Sequence, residues 1–189
     1  MSWSKLKQQL ESFLCPALVG RFEYRATSYR YLPDKAGQCY IAVDKKNVLN
    51  MSDTTASISW YQTELEIKND PDLQIPITNE EIEALRIDTK GLVPEDRLKV
   101  IARSRKISGL AKELLSAQSS LSKSNFTVVA TKFLSTSIEE SIESNDILLN
   151  ILALVDRRVG KKRIINMTEM MKLKHPSVQY FYELRRSTL

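Results

Sequence analysis

The stretch Asp146 to Arg163, Asp-Ile-Leu-Leu-Asn-Ile-Leu-Ala-Leu-Val-Asp-Arg-Arg-Val-Gly-Lys-Lys-Arg, constrains the fold of this chain more than any other. Ile147, Leu148, Ile151, Leu152, Leu154 and Val155 recur at three- and four-residue spacing, so the predicted helix is apolar around most of its circumference. Only a buried, central position satisfies such a helix. Asn145 is placed to cap its first turn, and Gly160 to supply a left-handed residue just past its end. Arg157, Arg158, Lys161, Lys162 and Arg163 then crowd the negative end of its dipole. The expectation is a buried rod that carries a cluster of cations out into water.

Period-two and period-3.6 segments surround this rod in a definite order. Trp3, Leu6, Leu10, Phe13 and Leu14 form the apolar face of a short helix that Ser4 is placed to cap and Pro16 ends. From Arg21 the period is two, with Phe22, Tyr24 and Ala26 on one side, and the aromatics then shift phase to Tyr29 and Tyr31, which suggests a bulge near Thr27 and Ser28. Leu32 to Gly37 has turn chemistry, Cys39, Ile41 and Val43 mark a return strand, and Asp44 to Asn47 make a second turn before a short third strand, Val48 to Met51. Ser52 to Lys68 reads as a helix, and Asn69 to Pro76 as a polar, proline-bracketed linker. Beyond it, Thr78-Asn79-Glu80-Glu81 is a capping box, Pro94 starts a long amphipathic helix, and Phe126, Val129, Ala130 and Phe133 form another helical stripe. Ser119 to Ser124 separates the two as a loop, Ser137 to Glu143 gives an acidic helix, and Pro176 opens the last one, with Val178, Phe181, Tyr182 and Leu184 facing inward.

These elements predict an α+β fold: a small antiparallel β-meander with flanking helices over residues 1–76, followed by a helical unit over 77–189. With 189 residues, 42% of them apolar, the chain buries one substantial core or two small ones. Met1 to Ser12 is too charged for a signal peptide, no apolar run approaches the ~20 residues of a membrane span, and the expected location is cytoplasmic. Cys15 and Cys39 are then expected to be reduced. A single histidine, His175, and two cysteines leave little for a zinc or iron site, so no metal and no cofactor are expected. The net charge of +5 is uneven: residues 157–189 hold nine Lys or Arg against Glu169 and Glu183, +7 against −2 for the first 156. Such asymmetry points to an acidic partner, protein or nucleic acid.

Several motifs together, Met1-Ser2-Trp3-Ser4-Lys5, the Tyr-Arg hairpin with Pro33-Asp34-Lys35, the run Ala153 to Arg163, and His175-Pro176 followed by Phe181-Tyr182-Glu183-Leu184-Arg185, resemble a family of small uncharacterised bacterial proteins. The likeness covers nearly the whole chain. It implies a bacterial, cytoplasmic setting and brings no activity with it.

Three groups of residues carry candidate chemistry. Arg157, Arg158, Lys161, Lys162 and Arg163 read either as an anion-binding tip or as cations that satisfy the helix end, with Asp156 holding one arginine. Arg25, Tyr29, Arg30 and Tyr31 interleave bases with aromatics, as surfaces for single-stranded nucleic acid do, although tyrosine is also an ordinary strand residue. Asp34 with Glu66 and Lys68 matches the wording of a metal-dependent nuclease site, but the turn at Asp34 and the helix at Glu66 argue against it. His175 before Pro176 reads as a helix cap. The sequence therefore favours a non-enzymatic binding or adaptor protein that presents a basic C-terminal surface to an acidic partner. The alternative is a nuclease using Asp34, Glu66 and Lys68.

Overall fold

The computed structural model describes residues 1–32, 36–71, 73–115 and 121–189, with the backbone of 116–117. In chain order the elements are α1 (Trp3–Ser12), a 3-10 turn (Pro16–Leu18), β1 (Phe22–Ser28), β2 (Gly37–Val43), β3 (Lys46–Ser52), α2 (Asp53–Asn69), α3 (Asn79–Asp88) and α4 (Glu95–Ala117). There follow α5 (Lys123–Phe133), α6 (Ile138–Glu143), α7 (Ile147–Val155), α8 (Lys161–Asn166), α9 (Thr168–Lys172) and α10 (Pro176–Arg186). The class is α+β. These elements gather into two compact units, Met1–Ala56 with Leu121–Leu189, and Ser57–Ser120. The boundary falls inside α2 and not at the Asn69–Pro76 linker, because α5 returns to pack on β2 and β3 and takes everything after it into the first unit.

In the first unit the three strands form an antiparallel meander in the order β1-β2-β3. Phe22 pairs with Val43, Tyr24 with Ile41 and Ala26 with Cys39, so one face of the sheet is apolar throughout. The β1–β2 register is regular as far as Ser28–Gly37, and the irregularity lies instead between Ile41 and Ala42, opposite β3. The phase shift at Tyr29 has another cause. The strand has ended by then, and Tyr29 N–H reaches across to Ala36 C=O in a loop. The predicted turn at 33–35 lies outside the described residues. Asp44 and Lys45 both take positive φ, 48° and 68°, in the tight turn that joins β2 to β3.

α7 is the centre of this unit, as its composition dictates: every residue from Ile147 to Val155 is buried, Asn150 included. Asn150 is accommodated because its amide donates to the carbonyls of Ser141, Ile142 and Ser144 at the end of α6. Asp146, not Asn145, caps the helix, accepting from the N–H groups of Leu148 and Leu149. α7 packs against α5, α6 and α10. A single apolar cluster runs from Leu6 and Leu10 through the sheet to Phe126, Phe133, Ile151, Leu154 and Phe181. The cap of α1 is Ser2 instead of Ser4. Lys123 and Ser124 begin α5 beside a buried carboxylate, Asp53, which accepts from the N–H groups of Gly37 and Ser124 and so ties the start of β2 to the start of α5.

The second unit is helical. Thr78 and Glu81 make the capping box of α3 reciprocally, and Lys90 and Gly91 end that helix at positive φ. Among the described residues, six of its buried side chains form two separate clusters, Ile67 with Ile107 and Ala111, and Leu85 with Leu98 and Ala102.

Candidate functional site

The chain leaves α7 in an extended step that is pinned on both sides. Cys15 N–H donates to Val155 C=O at 2.8 Å and Arg157 N–H to Phe13 C=O at 2.7 Å, so residues 13–15 and 155–157 form a short antiparallel bridge. This bridge buries the Asp156 carboxylate, which is 1% exposed. Arg158 neutralises it: the backbone N–H donates at 2.7 Å, and the guanidinium at 3.1 Å through Nε and 2.8 Å through Nη2. The same guanidinium lies over the rings of Phe13 at 4.4 Å and Phe133 at 5.7 Å. Hydrogen bonding to Asp156 raises the pKa of Arg158.

The remaining cations of the segment divide. Gly160 has φ −74° and caps the N-terminus of α8, so it is not a left-handed stop for α7. Lys161, Lys162 and Arg163 therefore begin α8 and do not line the negative end of α7. Arg163 pairs with Glu139, whose carboxyl it holds below the ordinary range, and Lys161 donates to the Leu189 carbonyl at 3.2 Å. Arg157 and Lys162 are exposed and have no hydrogen bond or ion pair from their side chains among the described residues. Arg185, beyond the reach of local reasoning, is buried and donates to the Val159 carbonyl at 3.1 Å and to Thr188 at 3.0 Å. The segment is thus an anchored turn that frees two of its five cations.

The outer face of the sheet, opposite the apolar one, brings the second candidate group together. Arg25 sits across from Tyr40 in register, with its guanidinium 5.9 Å from the ring centroid and bonded to Glu23 at 2.8 Å. Gln38, two residues before Tyr40 and on the same side of β2, accepts from the Tyr29 hydroxyl at 3.1 Å and donates to Asn50 at 2.8 Å. Tyr29 and Tyr31 stack with centroids 5.5 Å apart and planes 16° from parallel, and Tyr31 is 80% exposed. Arg30 is exposed and, among the described residues, makes no side-chain hydrogen bond or ion pair. The signal missed in the sequence was the partner strand: Tyr40, Gln38 and Asn50 join the face only through the β1-β2-β3 register.

The nuclease wording finds no geometric support in the described residues. Glu66 and Lys68 lie exposed on α2, not on a strand, and Asp34 lies outside the described residues. Among the described residues no three His, Cys, Asp or Glu side chains gather as metal ligands would. His175 accepts from Ser177 N–H at the start of α10. Cys15 and Cys39 are free and buried, and burial pushes the Cys39 thiol up to about 12.

The second unit carries a groove of about 700 Å³. Leu73, Ile75, Leu85 and Leu110 line it, with Arg105, Gly109 and Glu113 spaced along one face of α4. Lys106, also in its wall, is held by Glu81 at 3.0 Å and by the Pro76 carbonyl.

Fold and surfaces together describe an α+β protein with a well-buried, cationic first unit and a helical second one. The chain belongs to the SF0329 protein family, whose model matches residues 2–186. No curated protein and no solved structure shows detectable similarity to it. In the described residues no helix is long and apolar enough to cross a membrane.

Proposed function

We propose that this chain is a bacterial, cytoplasmic binding protein without catalytic activity, whose first unit engages a polyanionic partner through a basic surface. Charge counted by unit carries the reading. Met1–Ala56 with Leu121–Leu189 hold 19 Lys or Arg against 12 Asp or Glu, +7, whereas Ser57–Ser120 hold 9 against 11, −2. Excess cations on one compact body attract polyanions at long range and release condensed counterions on contact. Arg157 and Lys162, left unpaired among the described residues by a segment whose other three cations have partners, are the residues with the most to gain from such a partner. Two free buried thiols agree with a reducing compartment.

The test is a salt titration of the purified whole chain against a labelled mixed-sequence oligonucleotide and a labelled polyglutamate. Binding of either is expected to weaken steeply with salt, and Arg157→Glu with Lys162→Glu is expected to lower the slope by about 1 for each anionic group no longer neutralised. If neither polyanion binds at low salt, or if the double charge reversal leaves both the affinity and the slope unchanged, the reading fails.

A further inference from the structure

We propose that the open face of the β1-β2-β3 sheet binds single-stranded nucleic acid, stacking bases on Tyr31 and on the Arg25–Tyr40 pair while Arg30 meets phosphate. The inference rests on the polyanion reading of the first unit and names both the ligand class and the place.

The inner face of the sheet is committed to the core, through Tyr24 against Phe126 and Phe22 against Phe181. The outer face is not. Arg25, Tyr40 and Gln38 there are only half-buried, and Thr27 and Asn50 are exposed. Tyr29 covers one side of the Tyr31 ring, which at 80% exposure leaves the other side to solvent. An aromatic face open to water beside an exposed guanidinium, Arg30, is the arrangement on which an unpaired base stacks and its phosphate is neutralised. Just past the end of β1, the bond from the Tyr29 hydroxyl to Gln38 ties this platform to the face that carries the Arg25–Tyr40 pair. Gln38 lies between the two and Asn50 beside Tyr40 in register, and their amides are donors and acceptors of the kind that meet base edges.

Charge on the face decides between nucleic acid and an acidic protein. Arg25 is already neutralised by Glu23, with nitrogen and oxygen 2.7 Å apart, so this surface offers ring faces and a guanidinium beside one of them more than it offers net charge. Carboxylates gain little from that, and bases gain stacking. A duplex, whose bases are already stacked on one another, gains little either.

Anisotropy titrations of the whole chain with labelled oligo(dT) and oligo(rU) of about 15 nucleotides, near the upper end of single-strand site sizes, a duplex of equal length and polyglutamate test this directly. The single strands are expected to bind tighter than the duplex. Tyr31→Ala and Tyr40→Ala are each expected to weaken single-strand binding by about 5- to 100-fold, the loss of one stacking platform, and to leave duplex and polyglutamate binding unmoved. Tyr31→Phe, which keeps the ring, is expected to keep the affinity, and unchanged thermal melting shows that the variants fold. The proposal is overturned if Tyr31→Ala binds the single strands as tightly as the parent chain, or if duplex is preferred. If Arg157→Glu with Lys162→Glu abolishes binding while Tyr31→Ala does nothing, the basic surface stands and the sheet face falls. If polyglutamate binds and no oligonucleotide does, the partner is an acidic protein and the sheet face falls. If nothing binds, both readings fall.

Discussion

The two units are built from the same kinds of residue, yet they bury them in different ways. In the first, the apolar sides of a sheet and of the surrounding helices converge on α7, and the buried residues form one continuous cluster. In the second, stretches of three helices leave two clusters of three buried residues each, among the described residues. Size is the cause. A short unit has too much surface for its volume, so its helices carry charge on most of their faces and close over little. Burial of a whole helix demands covering elements on every side, and only the longer unit has them. The difference also separates the candidate surfaces: the strands of the sheet face and the α7 exit back directly onto the continuous buried cluster, which helps a recognition geometry hold its shape.

The largest expected effect tests that continuity. Phe126 is fully buried against Trp3 and Tyr24, and Phe126→Ala should cost about 3–5 kcal/mol in urea unfolding. Alkylation of Cys39 provides an independent readout, since the thiol is 0% exposed and its pKa of about 12 leaves almost no thiolate at neutral pH. Cys39 should be inert in the native chain and should label faster in Phe126→Ala. A loss below about 1 kcal/mol would mean that the cluster is not the cooperative core assigned to it.

Gly37→Ala comes next. A Cβ at Gly37 would stand well inside contact distance of the Thr27 carbonyl oxygen and close to Ser28 Cα, both backbone atoms of the paired strand. Neither moves without opening the β1–β2 ladder, and the Gly37 N–H is also held by Asp53. The expected loss is about 2–3 kcal/mol. In the second unit, Thr78→Ala removes one half of the capping box and should cost about 1 kcal/mol, read by faster amide exchange through the first turn of α3.

What the chain made legible in advance follows from the range of the interactions. The six apolar positions named in α7, the stripe Phe126-Val129-Ala130-Phe133, the meander and the Thr78–Glu81 box are local patterns, and the structure places them as read. Errors of one or two residues at caps, Asp146 for Asn145 and Ser2 for Ser4, arise because neighbouring polar residues compete for the same N–H groups. Gly160 misled for a related reason: it follows a helix at a distance that suits a left-handed stop, but the bridge to residues 13–15 had already ended α7 at Val155. The proline-bracketed linker is legible as a loop, whereas the division into these two units depends on the return of α5 to the sheet, which no local pattern shows. Asp53, Arg185 and the outward trio Gln38, Tyr40 and Asn50 acquire meaning through partners distant in sequence.

The smallest effect has the opposite sign and sharpens the comparison most. Gly109 sits within α4, lines the groove of the second unit, and would meet nothing within 4 Å if given a Cβ. Glycine inside a helix loses more backbone entropy on folding than alanine does, so Gly109→Ala should raise stability by about 0.5–1 kcal/mol, measured by the same urea titration. One substitution type, glycine to alanine, thus destabilises where backbones touch at Gly37 and stabilises where a wall stands open at Gly109. A loss at Gly109 would show that the groove is closed in solution by atoms that stand apart in this conformation, and the contrast between a filled unit and a cleft one would then no longer hold.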